Sequence, residues 1–101
     1  MPKIAVVVEF HVKPGMFAAF DAHIREHAAR TLETEPGCER FDVLVPLTPE
    51  GMPDDKRVML YELYSDQAAF DAHRKGTRMP GVAERSAPLL DKRVLTLCHT
   101  A

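Results

Sequence analysis

The hexapeptide AAFDAH occurs twice, at Ala18–His23 and at Ala68–His73, an offset of fifty in a chain of 101 residues. Each copy follows a strand-like segment and opens a helix-like one, which leaves few ways to fold a chain this short. KIAVVVEFHV (Lys3–Val12) is rich in β-branched residues and ends at the turn signal Lys13-Pro14-Gly15. Met16, Phe17, Phe20, Ile24, Ala28 and Thr31 then recur at spacings of three and four, the stripe of an amphipathic helix that stops before Pro36-Gly37. RFDVLVP (Arg40–Pro46) is the next strand, followed by a loop from Leu47 to Lys56. The second half repeats the order. RVMLYELY (Arg57–Tyr64) is a strand, Ser65 stands where an N-cap is expected, and a helix runs from Asp66 to about Lys75. Met79-Pro80-Gly81 reads as a break before a short helix over Val82–Leu90, and RVLTLCH (Arg93–His99) closes the chain as a strand.

Two βαβ units in one domain over residues 1–101 imply an α+β, ferredoxin-like sandwich of order βαββαβ. Its helices lie on one face of a four-stranded antiparallel sheet, with Phe20 and Phe70 anchoring them. The strands IAVVV, FDVLV and VMLYELY are apolar at nearly every position, the pattern of a sheet buried on both faces. Helices cover only one face, so a homodimer packed sheet against sheet is expected.

Composition narrows the partners. Hydrophobic residues make up 46% and charged residues 28%, with a formal net charge of −2. That balance suits a soluble globular domain and gives no electrostatic reason to expect nucleic acid or an acidic membrane surface. The longest apolar run, Ile4–Val8, is too short for a bilayer, and no cleavage signal follows the first residues; a cytoplasmic protein is expected. Cys38 and Cys98 have no CxxC partner and are expected as reduced thiols, Cys38 as a small semi-buried residue rather than a nucleophile.

On a helical wheel Phe20, Ile24, His27 and Thr31 share one face, so His27 points toward the core. A buried imidazole needs a partner or a ligand, because leaving it unpaired costs roughly 1–3 kcal/mol. His27 is thus either a core histidine satisfied by a neighbour or a group kept free for chemistry. His23 and His27 also have the i, i+4 spacing of metal ligands, but no third ligand is fixed nearby and HIREH is not HExxH, so no metal is expected. In the second repeat His73 stands for His23, and Thr77 for His27. The basic run around Arg74, Lys75 and Arg78 either complements a helix C-terminus or forms an anion pocket. In YELY, Tyr61 falls on one face of its strand and Glu62 with Tyr64 on the other. A carboxylate in so apolar a strand needs pairing, with Arg40 or with a basic residue of a second chain; Asp42 raises the same question. No glycine-rich nucleotide loop, GxSxG elbow or cysteine cluster occurs, so any catalysis rests on acid–base groups in a small pocket between helices and sheet.

EFHVKPGMFAAF, TEPGCERFDVLVP and YELYSDQAAFDAHRKGT together resemble the antibiotic biosynthesis monooxygenase domain family, from about Lys3 to Leu97. The likeness is to the branch containing quinol monooxygenases and the isomerase that processes phosphorylated autoinducer-2, on RFDVL, with its Phe41, and the place of His27. The resemblance implies a dimeric α/β barrel and oxidation of a phenol or quinol by O₂ as co-substrate, with no flavin, metal or haem. It makes His27, His73 and Tyr61 the candidate catalytic residues, with Tyr61 and Tyr64 orienting a substrate. His23, Phe41, Glu62, Tyr64, Thr77 and Arg78 become candidate substrate-binding residues, Arg78 as the cation for a substrate anion. Relatives often carry a second histidine after the one matching His73, where this chain has Arg78. Haem degradation in the family typically involves a Trp, which is absent here. The alternatives are an isomerase of a small phosphorylated or enolisable carbonyl compound, using the same acid–base residues, and a non-catalytic small-molecule-binding dimer.

Overall fold

The computed structural model describes residues 2–100. In chain order it contains β1 (Ile4–Val12), α1 (Phe17–Thr34), β2 (Cys38–Leu44), β3 (Arg57–Tyr64), α2 (Gln67–Arg74), α3 (Met79–Ser86), a single 3₁₀ turn (Ala87–Leu89) and β4 (Leu90–His99). The strands form one antiparallel sheet of order β2-β3-β1-β4. This is the ferredoxin-like α+β fold expected from the repeat. Among the described residues no helix is long and apolar enough to cross a membrane.

Both AAFDAH copies open crossover helices. Within each copy Phe20 or Phe70 is buried, whereas the alanines are exposed or, for Ala69, half-buried. Phe20 meets Phe10 edge-on at 4.8 Å between ring centroids, and Phe70 lies 5.5 Å from Tyr64. Fully burying a phenylalanine contributes roughly 1.5–3 kcal/mol, so these two rings pin each helix to its strand.

Three local expectations are corrected. The cap of α2 is Asp66 rather than Ser65: its side chain accepts from Ala69 N at 2.8 Å, closing the first turn. Met79-Pro80-Gly81 starts α3 instead of preceding it, because proline in a first turn gives up an amide that has no helical partner anyway. The last strand starts at Leu90, three residues before the expected Arg93.

Alternation, masked by the residue types, is plain in the burial. Val58, Leu60, Glu62 and Tyr64 of β3 face the helices and are buried, while Met59, Tyr61 and Leu63 on the other face are half-buried. Val7 of β1 and Leu44 of β2 share that outer face through pairing with Tyr61 and Met59. β4 is exposed along nearly its whole length, with Val94, Leu95 and Leu97 each more than two-fifths accessible.

Gly37 explains the Pro-Gly between α1 and β2. A Cβ there would collide with the Ala69 methyl of α2, and Gly37 O also accepts from Ser65 N at 2.9 Å. The first crossover therefore packs directly on the second. Gly37→Ala is expected to cost roughly 1–3 kcal/mol through overpacking, measured by urea unfolding, and adding Ala69→Gly should recover part of the loss.

Candidate active site

The helix-facing side of the sheet and the helices border a half-open cavity of about 590 Å³, lined mainly by apolar side chains such as Val6, Val8, Leu60 and Phe70 and open along β4. Its buried polar side chains include His27 of α1, His73 of α2 and Glu62 of β3, while Arg74, Asp91, Lys92 and Arg93 line it from the exposed side. His27, His73 and Glu62 are each about 95% buried.

His27 has no protein partner for Nδ1, which is buried. Its ring meets Phe41 edge-to-face at 5.3 Å and lies 5.5 Å from the His73 ring. Burial lowers its pKa to about 4, and His73, Arg78, His23 and Arg85 push in the same direction. At neutral pH the ring is therefore uncharged, with ring-nitrogen hydrogen-bonding capacity that the protein leaves unused. Of the two sequence readings, a satisfied core histidine and a free one, the geometry gives the free one.

His73 is held differently. Its Nδ1 lies 3.0 and 3.1 Å from the two carboxylate oxygens of Glu35, so Nδ1–H is the donor. Nε2 is thereby the ring atom nearest Glu62, 3.9 Å from its Oε1. Glu35 also lies 3.5 Å from the Arg78 guanidinium, and Arg78 donates to Thr31 Oγ1 at 3.2 Å. Thr31 spends its one proton on His27 O, at 2.8 Å, and can therefore accept from Arg78.

Glu62 resolves the question of its partner: not Arg40, which pairs with Asp42, but the Tyr64 hydroxyl at 2.6 Å. Burial raises the Glu62 carboxyl, although that hydrogen bond opposes the rise. Burial and the adjoining Glu62 raise the Tyr64 hydroxyl, which keeps its proton and donates it. Cys38, pushed up to about 11 by burial and by Glu62 and Glu35, stays a thiol against Arg40 O and is no nucleophile.

The remaining candidates scatter. His23 is half-buried and bonds Ser86 Oγ at 2.8 Å; since Ser86 donates to Val82 O, His23 Nε2 carries the proton. Thr77 and Arg78 line a second, smaller cavity between α1 and α3 rather than the large one. Tyr61 lies on the outer sheet face under the Arg40 guanidinium, 5.9 Å from its ring centroid, and does not join the histidines. Glu35 and Ser86 escaped the sequence reading, because each acts on a histidine 38 or 63 positions away. The one available clue to Glu35 was a carboxylate closing α1 just before Pro36. Among the described residues no three His, Cys, Asp or Glu side chains gather as a metal site requires.

The comparisons agree with this fold. Residues 3–84 match the family profile described as antibiotic biosynthesis monooxygenase, and the chain belongs to that family. Similar solved structures include a Caulobacter crescentus CB15 protein named as a candidate antibiotic biosynthesis monooxygenase, with TM-score 0.87, 23% identity and coverage of 99% of this chain and 91% of that one. A Nitrosomonas europaea protein carrying the same provisional description has TM-score 0.82 and 23% identity, covering 97% and 89% of the two chains. A conserved protein of Methanosarcina mazei Go1 has TM-score 0.84 and 22% identity, covering 100% and 95%. No curated protein matches the sequence significantly.

The raised carboxyl of Glu62 carries a stability consequence. Its proton is held more tightly in the native state, so native stability is favoured below the unfolded value of about 4.3 and lost as pH rises through the native one. Glu62→Gln should therefore be at least as stable as wild type at pH 7, its relative advantage shrinking toward pH 4, as read from urea midpoints at the two pH values.

Proposed function

We propose that this chain is a cofactor-independent monooxygenase that oxidises a small aromatic phenol or quinol with O₂, working as a homodimer joined through its outer sheet face. The observation that carries the reading is His27: a neutral, unpartnered imidazole in a mostly apolar cavity, beside a histidine oriented by Glu35. The half-buried outer face, with Val7, Met59, Tyr61 and Leu63, supports that pairing.

In this reading a substrate hydroxyl hydrogen-bonds to His27, which takes its proton as the ring becomes electron-rich. The resulting phenolate and imidazolium stabilise each other. The phenolate passes one electron to O₂, and the radical pair combines to form a carbon–oxygen bond and a hydroperoxide. Loss of water gives the quinone, so a phenol with a free ring C–H plus O₂ yields a quinone plus H₂O. In this reading His27 gives its proton back as the hydroperoxide forms, then takes the ring C–H proton and passes it to the departing hydroxide, with His73 and the Glu62 carboxyl beside it. The protein needs only to move protons, because the substrate provides the electrons.

Oxygen uptake with a panel of quinols and catechols, using chelator-treated protein, tests this directly. Uptake without added cofactor is expected, and His27→Gln should lower kcat/KM by about 10²–10⁴-fold with the fold intact by circular dichroism. The acid limb of kcat/KM is expected near pH 4, where free His27 gains its proton, rather than near an ordinary histidine value. Turnover of an enolisable substrate that proceeds equally without oxygen would sink the monooxygenase in favour of an isomerase. Saturable binding without turnover would leave a binding protein.

A further inference from the structure

The smaller cavity, about 360 Å³, lies between α1 and α3. His23, Glu26, His27 and Arg30 line it from α1, and Gly81, Val82 and Arg85 from α3, with Arg78 at the N-cap of that helix. Counting that N-cap, each helix thus contributes positions i, i+3, i+4 and i+7, one face set against the other. Three guanidiniums meet there against one carboxylate. Glu26 lies 4.0 Å from Arg30, and Arg78 is shared with Glu35 outside the cavity lining. Among the described residues no carboxylate pairs with Arg85, whose Nη1 rests where a Cβ at Gly81 would press within 3.3 Å. The glycine makes room for that guanidinium against its own helix.

His27 and Val82 line both cavities, so the candidate base borders each of them. A ligand that occupies both would seat its ring in the apolar cavity against His27 and send one substituent past it, between α1 and α3. Guanidiniums in a partly enclosed cleft bind planar oxyanions through paired N–H donors. We propose that the substrate carries an oxyanion, a carboxylate or phosphate, on its aromatic ring, and that Arg85 and Arg30 hold it in the cleft between α1 and α3. The proposal rests on the reading of His27 as the base and adds the substrate class. It also gives the low basicity of His27 a use. Arg78 and Arg85 are among the groups that lower it, and a bound anion opposes them, so the imidazole becomes a stronger base once the correct substrate is seated.

The test compares ligands that differ only in the anion. Hydroquinone, 2,5-dihydroxybenzoate and 4-hydroxyphenyl phosphate are titrated calorimetrically into anaerobic wild type, Arg85→Gln and Arg30→Gln/Arg85→Gln. The expected result is at least ten-fold tighter binding of one anionic ring than of hydroquinone, weakened by salt and lost in the double variant; the tighter of the two names the anion. No preference for either anionic ring, or a preference the double variant retains, overturns the proposal. Oxygen is then admitted. An anionic ring that binds preferentially but takes up no oxygen leaves the anion site standing and removes the monooxygenase, so the two readings fail separately.

Discussion

The Glu35 carboxylate, at the end of α1, holds the polar side of this protein in register. It receives His73 from α2 and Arg78 from the start of α3, so one side chain ties together three helical elements. Without it His73 would lose the partner that fixes its tautomer, and Arg78 would keep only its bond to Thr31. Partly buried ion pairs of this sort contribute modestly to stability, since desolvation offsets much of the Coulombic gain. Their larger effect is to fix geometry. Glu35 makes His73 an oriented group and leaves His27, one ring away, as the free one.

The two histidines thus differ by environment rather than by residue type. His27 sits among hydrocarbon and cationic neighbours and is neutral; His73 has a carboxylate behind it and a second carboxyl in front. Glu62 and Tyr64 form a closed pair on β3, the tyrosine keeping its proton and the carboxyl resisting ionisation. Environments that separate otherwise similar groups are what acid–base chemistry in a single cavity requires.

Much of this was legible in the residues. The repeated AAFDAH and its flanking strands specified the βαββαβ order, because Phe20 and Phe70 recur at the same point of the same unit. The burial of His27 followed from its place on a helical stripe, and the opposed faces of Tyr61 and Glu62 from strand alternation. What the residues hid was pairing at long range. Neither the bond from Glu35 to His73 nor that from His23 to Ser86 leaves a mark in local periodicity, and both bear on the site. Local chemistry also misled in places: Ser65 is a good cap, but Asp66 is as good and stands one residue closer. Proline marked a helix start at Pro80 where it was taken as a break, since it serves both roles.

The repeat is imperfect in length as well as in residues. α1 runs for 18 residues and α2 for only eight, so at 1.5 Å per residue α1 covers about 15 Å more of the sheet. The chain then turns through Lys75–Arg78 and returns as α3, whose Met79, Val82 and Ala83 line the large cavity together with Arg74 at the end of α2. The hollow thus lies against the end of the shorter crossover helix, so its size can change by adding or removing a turn of α2 while the sheet beneath stays the same. Cavity shape in such a fold can therefore drift through helix length, a coordinate that single-residue comparison does not register.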